Sequence, residues 1–308
     1  MKPCFLSCYS IMMKKVVASM LLFLLMSAMP VAAQAVYYEE PRAEAVGYLA
    51  DSVKGTSSLF WMDGRLWTCN DHGALRLFAL DTSTAAVDST LDLGVRVNDL
   101  EEVAQDSLFL YFGDFGNNKG RRQDLRILRL AKSLLHQGIY RFDTIRFAYP
   151  DHSSISARNY DCEAFVAGAD SLYLFTKQWL SRGSVCYALP KEPGSYVARR
   201  CFSLLTRGLV TGACYIPSRH VLILLGYSLT VKPFVYIIDQ FEGDDFLHGR
   251  HRRIPLDNPV GSQTEGIATR DGIHCFITNE TLRVRSLIRH AALLTLTLDG
   301  LPEEPNAW

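Results

Sequence analysis

Three glutamates carry the most chemistry in this chain. Glu101, Glu163 and Glu265 each open a short apolar run. Each run leads through a tight turn to a second apolar run with a polar end, as in 98–104 followed by 108–114. Two further copies put a hydroxyl, Ser57 or Thr211, where the acid stands. Carboxylates brought to one point repel unless protons or a cation intervene. A hard cation suits them, and calcium accepts carboxylates and hydroxyls in irregular geometry. Such an ion can also polarise an attacking water. A second reading needs no metal: each acid caps its own hairpin by accepting N–H groups from the neighbouring unit.

The elements that must position these residues follow from the repetition. Five copies about 45 to 60 residues apart, each with room for four strands, predict an all-β fold of β-propeller type. The expected strands of the first unit are 58–62, 65–69, 75–80 and 87–93, with Asp63-Gly64 as a two-residue hairpin turn. The third unit should end in a strand over 196–204. In the fourth, 241–246 reads as an exposed acidic turn. The fifth unit has only three strands, and a lone strand over 43–50 supplies the fourth by closing the ring. Five blades are therefore expected, with six as the alternative. The best short helix lies at 132–136.

In each hairpin the start of the first strand and the end of the second lie at the same end. Ser57, Glu101, Glu163, Thr211 and Glu265 should thus ring the mouth of a central channel as metal ligands. Asn70, Asp71, Asn117, Lys177, Tyr227 and Asn279 should surround them and bind a ligand. Asp114 and Glu280 are the candidate bases. The polar loop 114–124 offers Arg121 and Arg122 to an anion above the channel.

The N-terminus reads as a targeting segment. Lys14-Lys15 precedes an apolar stretch over 16–31, and small residues at 31–35 suit cleavage. Residues 1–35 are assigned to a signal peptide and 36–308 to one propeller domain. The mature protein is expected to be exported, periplasmic or extracellular. It should be a monomer without a stable membrane span. The chain's formal net charge is zero, and loss of Lys2, Lys14 and Lys15 with no acid leaves it near −3. No basic block suggests nucleic acid. Six cysteines remain, none in CxxC spacing, so a zinc knuckle is unsupported. Buried free thiols are the default. Cys186 and Cys201, expected on adjacent strands, form the pair best placed to bridge.

The ordered set Ser57, Glu101, Glu163, Thr211, Glu265 resembles the calcium-activated nucleotidase (apyrase) family. There the innermost strands of a five-bladed propeller begin Ser, Glu, Glu, Ser, Glu around an axial calcium. Ser57-Ser58-Leu59 before Asp63-Gly64-Arg65-Leu66, and Glu265-Gly266, are similar to that family's text. The resemblance implies an axial calcium. It implies nucleotide chemistry less well, because 51–55 lacks the family's arginine. Asp99–Ala104 with Gly113–Asn118 also resembles uncharacterised exported propellers of Bacteroidetes-type bacteria, over nearly all of the mature chain and with no known reaction.

Other motifs fall away. Asp114-Phe115-Gly116 lacks every other kinase element, and there is no Gly-x-Ser-x-Gly elbow. Two functional expectations stand. One is an exported propeller that binds a small molecule, glycan or protein at the channel mouth. The other is a calcium-dependent hydrolase of a nucleotide or other phosphate ester.

Overall fold

The computed structural model describes residues 40–53, 55–152, 158–257, 263–284 and 287–298. The expected signal segment lies outside them, as does Lys54. After β1 (Glu44–Tyr48), the first blade holds β2 (Thr56–Met62), β3 (Arg65–Asn70), β4 (Gly73–Leu80) and β5 (Val87–Val97). The second holds β6 (Leu100–Gln105), β7 (Phe109–Asp114), β8 (Arg126–Ala131), the short helix α1 (Lys132–Leu135) and β9 (Phe142–Ala148). The third holds β10 (Asp161–Ala167), β11 (Ser171–Lys177) and β12 (Ser184–Pro190), then β13 (Gly194–Val197) and β14 (Arg199–Leu204). The fourth holds β15 (Leu209–Ile216), β16 (Val221–Tyr227), β17 (Pro233–Asp239) and β18 (Arg250–Pro255). The fifth holds β19 (Thr264–Thr269), β20 (His274–Asn279), the small hairpin β21 (Leu282–Val284) and β22 (Leu287–Arg289), and β23 (Ala292–Thr297).

From the inner strand outwards the first four sheets run in chain order, with β13 at the outer edge of the second sheet, not the third. The protein is a five-bladed β-propeller, not a six-bladed one. The last sheet reads β1-β23-β20-β19, so the N-terminal strand is its outer edge. Glu44 lies opposite Thr295 and Tyr48 opposite Ala292.

Position in the ring sets the burial pattern. Blades cover both faces of an inner strand, and all of β10 is buried. The outer strand β5 alternates and faces solvent with every second side chain. The apolar layers lie between blades. Phe60, Trp67 and Leu77 of the first meet Val103, Phe112 and Leu128 of the second. Asp63 and Gly64 both take positive φ, the backbone that a type I′ turn requires.

Two expectations need correction. The stretch 196–204 is not one strand. Residues of β13 pair in parallel with β9 of the second blade, and the chain returns after Ala198 to form β14 on the third. Arg129 of β8 holds this strap from inside, bonding the Lys191 carbonyl and Glu192. The turn 241–246 is acidic but not wholly exposed. Phe241 and Phe246 are buried between the third and fourth blades. Asp244 turns back to accept the Ala169 amide at 2.7 Å and the Tyr215 hydroxyl at 3.0 Å.

Candidate cation and ligand site

Each inner hairpin skips register at the same place. The skips fall between Thr56 and Ser58, Leu100 and Glu102, Cys162 and Ala164, Val210 and Gly212, and Thr264 and Ile267. Ser57, Glu101, Glu163, Thr211 and Glu265 are therefore the bulged residues of their strands. A bulge leaves its residue outside the ladder and re-aims its side chain. The five positions picked out by repetition share one backbone device.

Not all five side chains converge. One oxygen each from Glu101, Asp161 and Glu163 lies within 4.8 Å of the others. Opposed ligands of one calcium ion stand about 5 Å apart, so the spacing fits a single ion. Thr211 instead donates its hydroxyl to the Thr264 carbonyl of the next blade at 2.6 Å. Ser57 Oγ lies 4.0 Å from Cys69 Sγ. Glu265 stands by the group electrostatically, raised by burial and then by the charge of Glu163.

Asp161 is the member that the repeat comparison missed. The signal was present: Asp99-x-Glu101 and Asp161-x-Glu163 place a second acid two residues before each of the first two glutamates. Residues two apart on a strand share a face. Asp161 Oδ1 accepts the Asn117 amide at 2.7 Å. Its Oδ2 is buried and meets no N–H or hydroxyl among the described residues, and the Asp161 carboxyl contacts that of Glu163, which favours a proton on Asp161.

The electrostatics are lopsided. Asp71, Asp99, Glu101, Asp161, Glu163, Glu265 and Glu280 act on one another. Against them stands Lys177, 2.6 Å from each Glu163 oxygen and 5 % exposed. Burial opposes its charge, but Glu163, Tyr227, Glu265 and Asp161 outweigh burial and hold its pKa well above the ordinary value. The ammonium also sits 5.2 Å from the Trp179 ring and 5.6 Å from that of Tyr227. Lys177 and, at Asp99, Arg122 do not balance this many acids. Burial, then Glu163 and Asp99, push Glu101 well above the usual carboxyl range. Burial and Glu163 do the same to Asp161. Asp99 is raised to about 6, chiefly by burial and against the pull of Arg122. Glu280 is raised to about 7 by burial, then by Asp71 and Glu163.

The loop after β7 packs against these acids. Gly116 lies so close that a methyl there would overlap Glu101 Oε1 and the Asp99 carboxyl. This gives the Gly-Asp-Phe-Gly-Asn-Asn stretch a steric reason for its second glycine. Asn117 is buried, and its Oδ1 accepts the Arg122 amide at 2.8 Å.

Asp114 is not placed to act as a base. It is fully buried, and Oδ1 accepts the Asn98 and Asp99 amides and Arg122, while Oδ2 takes Arg126 at 2.8 Å. Two guanidiniums and two amides occupy both of its oxygens. Its work is to hold the turn carrying Asp99. Arg121 points to solvent and Arg122 turns inward, so the inner half of the Arg-Arg pair is structural.

Glu280 keeps its candidacy. With Asp51, Gly55, Asn70, Asp71, His72 and Thr281 it lines a cleft of about 470 Å³. Asp71 pairs with His72 Nδ1 at 2.5 Å. Asn70 spends its amide on the Ser52 carbonyl, and its Oδ1 is buried without a donor. Tyr227 accepts Gln263 at 2.8 Å. Asn279 is fully buried and donates to the Glu280 and His290 carbonyls.

Glu102, one residue deeper than Glu101, does what hairpin capping required of the ring acids. It accepts the Ser58 hydroxyl at 2.6 Å and the Ala213 amide at 3.0 Å. Burial pushes it up to about 8, against the pull of these hydrogen bonds.

No protein-family model matches the chain, and no curated protein matches it. Several solved structures are similar in chain path. An exo-β-1,3-galactanase from Phanerochaete chrysosporium, solved with β-1,3-galactotriose, shares 10 % identity at a TM-score of 0.49, over 86 % of this chain and 66 % of that one. A GH43 β-xylosidase/α-arabinofuranosidase from a compost metagenome, solved with xylotriose in a calcium-free form, shares 11 % at 0.48, over 86 % and 98 %. A hypothetical protein from Leishmania major shares 12 % at 0.47, over 87 % and 95 %. At this distance the likeness concerns the fold, and the sugars belong to those proteins.

Proposed function

We propose that this is an exported, monomeric propeller that holds a divalent cation among Glu101, Asp161 and Glu163 and binds an oxygen-rich ligand beside it. The observation that carries the reading is the convergence of one oxygen each from Glu101, Asp161 and Glu163 within 4.8 Å, in a group of acids that share one lysine. The donors are all hard oxygens, which favours calcium over softer metals. Glu265, Ser57 and Thr211 stand at the equivalent bulges and complete the ring. A small molecule, glycan or protein segment would reach the ion through the cleft of Asn70, Asp71 and Glu280. Lys177, Tyr227, Asn117, Asn279 and Arg121 are assigned to the same ligand. Among the described residues no helix is long and apolar enough to cross a membrane. Export rests on the N-terminal sequence alone.

Metal analysis of the purified domain tests the ion, together with melting curves in chelator and in calcium. Binding to the folded state alone raises the melting temperature with free calcium. Asp161→Asn keeps the Oδ1 acceptor and removes a carboxyl that must lose its proton to hold an ion, so it weakens the calcium response without destabilising the chelated protein. Glu163→Gln is the poorer probe, because it also strips Lys177 of its partner. A wild-type melting curve indifferent to calcium and other divalent ions retires the cation.

The second reading, a calcium-dependent hydrolase of a nucleotide or other phosphate ester, is favoured by one observation. Glu280 lines an open cleft with a pKa near 7, poised to take a proton from an ion-bound water. A nucleotide and phosphate-ester panel with and without calcium tests it. Hydrolysis that survives Glu280→Gln removes the assigned base. No calcium-dependent turnover of any member leaves the binding reading in place.

A further inference from the structure

Cys186 and Cys201 lie away from the channel, on the outer half of the third blade. Cys186 is fully buried on β12, and Cys201 is partly exposed on the edge strand β14. The ladder pairs Cys186 with Phe202 and Tyr187 with Arg200, so Cys201 is the extra residue of a bulge facing that step. Both side chains join the same apolar layer between the third and fourth blades. Cys162 and the neighbouring pair Cys214 and Cys275 are buried or nearly so on the inner two strands of their blades, whereas Cys201 is the thiol on an outer edge strand, and Cys69 sits by Ser57.

We infer that Cys201 and Cys186 form a thiol pair that closes to a disulfide by exchange with an oxidised dithiol protein or a small disulfide, stapling β14 to β12. The polarity of the pair fits an attacking thiol and a resolving thiol. A hydrogen bond with Cys186, aided by Arg199 and opposed by burial, draws Cys201 down to about 7. Burial, then the same hydrogen bond, holds Cys186 in the thiol form. Thiolate character and access together decide which sulfur attacks.

The exchange balances. The Cys201 thiolate attacks one sulfur of the incoming disulfide, forming a mixed disulfide and expelling one thiolate. Cys186 passes its proton to that thiolate or to water and attacks Cys201 Sγ, releasing the second thiol. The protein loses two electrons and the incoming disulfide gains them. The loop that closes contains β13, the strap that leaves the third blade to pair with the second. The staple thus fixes both ends of the strap. An oxidant of this class is met outside the cytoplasm, so the physiological setting rests on the export reading, whereas the chemistry does not.

Oxidised glutathione is the probe. The folded, reduced protein is exposed to it, alkylated, digested and mapped by mass. The expected product is a Cys186–Cys201 crosslink, with Cys69, Cys162 and Cys275 still alkylated only after unfolding. Cys186→Ser, with Cys186→Ala as a second variant against misfolding, should accumulate a glutathione adduct on Cys201. Cys201→Ser should leave Cys186 unmodified. In wild type the alkylation rate of Cys201 should rise about fivefold between pH 6 and 7, about double again by pH 8 and then level off, and removing Cys186 should move that rise upward. Absence of the crosslink in folded wild type overturns the proposal. A crosslink with a Cys201 pH profile unchanged by Cys186→Ser overturns the attacking and resolving assignment.

Discussion

Glu102 and Ala213 meet across the propeller axis. Glu102 Oε2 accepts the Ala213 amide at 3.0 Å and so joins the second blade to the fourth, while its Oε1 takes Ser58 of the first. One side chain bars the channel a step below the acid cluster and ties three inner strands together.

Removing that bar leaves the Ala213 amide and the Ser58 hydroxyl buried without their acceptor. Glu102→Ala should cost ~2–4 kcal/mol in denaturant unfolding. Glu102→Gln keeps one oxygen and the shape, and should cost less than half as much. A loss below ~1 kcal/mol for alanine removes the tie.

The pH dependence has an unusual sign. Asp99, Glu280 and Glu102 hold protons up to about 6, 7 and 8, and burial raises Glu101, Asp161 and Glu265 as well. An unfolded chain releases these protons near pH 4. The folded state therefore binds more protons between about pH 4 and 8, and stability falls as pH rises through that window. At the acid end Asp81, lowered to about 2 by hydrogen bonds from Ser83 and Thr84, sets the opposite slope. In chelator the melting temperature should peak near pH 4 to 5 and decline towards pH 8. Calcium should flatten the decline. A chelated protein most stable at pH 7 to 8 contradicts the raised carboxyls.

Lys177→Met tests the single buried ammonium. Breaking a buried pair by removing one partner costs ~3–5 kcal/mol. The loss should be largest in chelator at pH 8, where the acids around the lysine carry most charge. It should shrink at pH 5 and shrink again in calcium, since an ion supplies the missing charge. Equal losses under all three conditions would mean that Lys177 matters only through its aliphatic packing.

Gly116→Ala asks whether the loop must touch the acids. A methyl overlaps Glu101 and Asp99, so the loop or the acids must shift. Destabilisation of ~1–3 kcal/mol is expected, as for an overpacked core. The calcium response should weaken further than that loss alone explains. An alanine variant with an intact response places the cation elsewhere.

Much of this was legible because the repeat writes one residue into one backbone position five times. Ser57, Glu101, Glu163, Thr211 and Glu265 could be aligned without a structure, and all five sit at the bulge. What each side chain does there was not legible. Thr211 reaches a neighbouring carbonyl, and Asp161 enters the cluster from outside the aligned column. Asp114 looked free because its loop is polar, yet Arg122 and Arg126 come from 8 and 12 residues on to enclose it. The single strand expected over 196–204 failed for a related reason. Edge pairing depends on which blade lies within reach, and a local pattern of apolar residues does not encode that.

The pairing of β1 with β23 also sets an order of events. The strand made first finds its place last, since Ala292–Thr297 emerges some 250 residues later in the chain. Until then the fifth sheet offers a bare edge, and the N-terminal strand has nothing to bind. Four blades can form as local hairpins, but the final contact spans almost the whole sequence, and contacts of such separation are slow. Refolding should show a late phase in which the fifth blade alone gains hydrogen-exchange protection. That phase is also the interval in which two chains could trade their first strands.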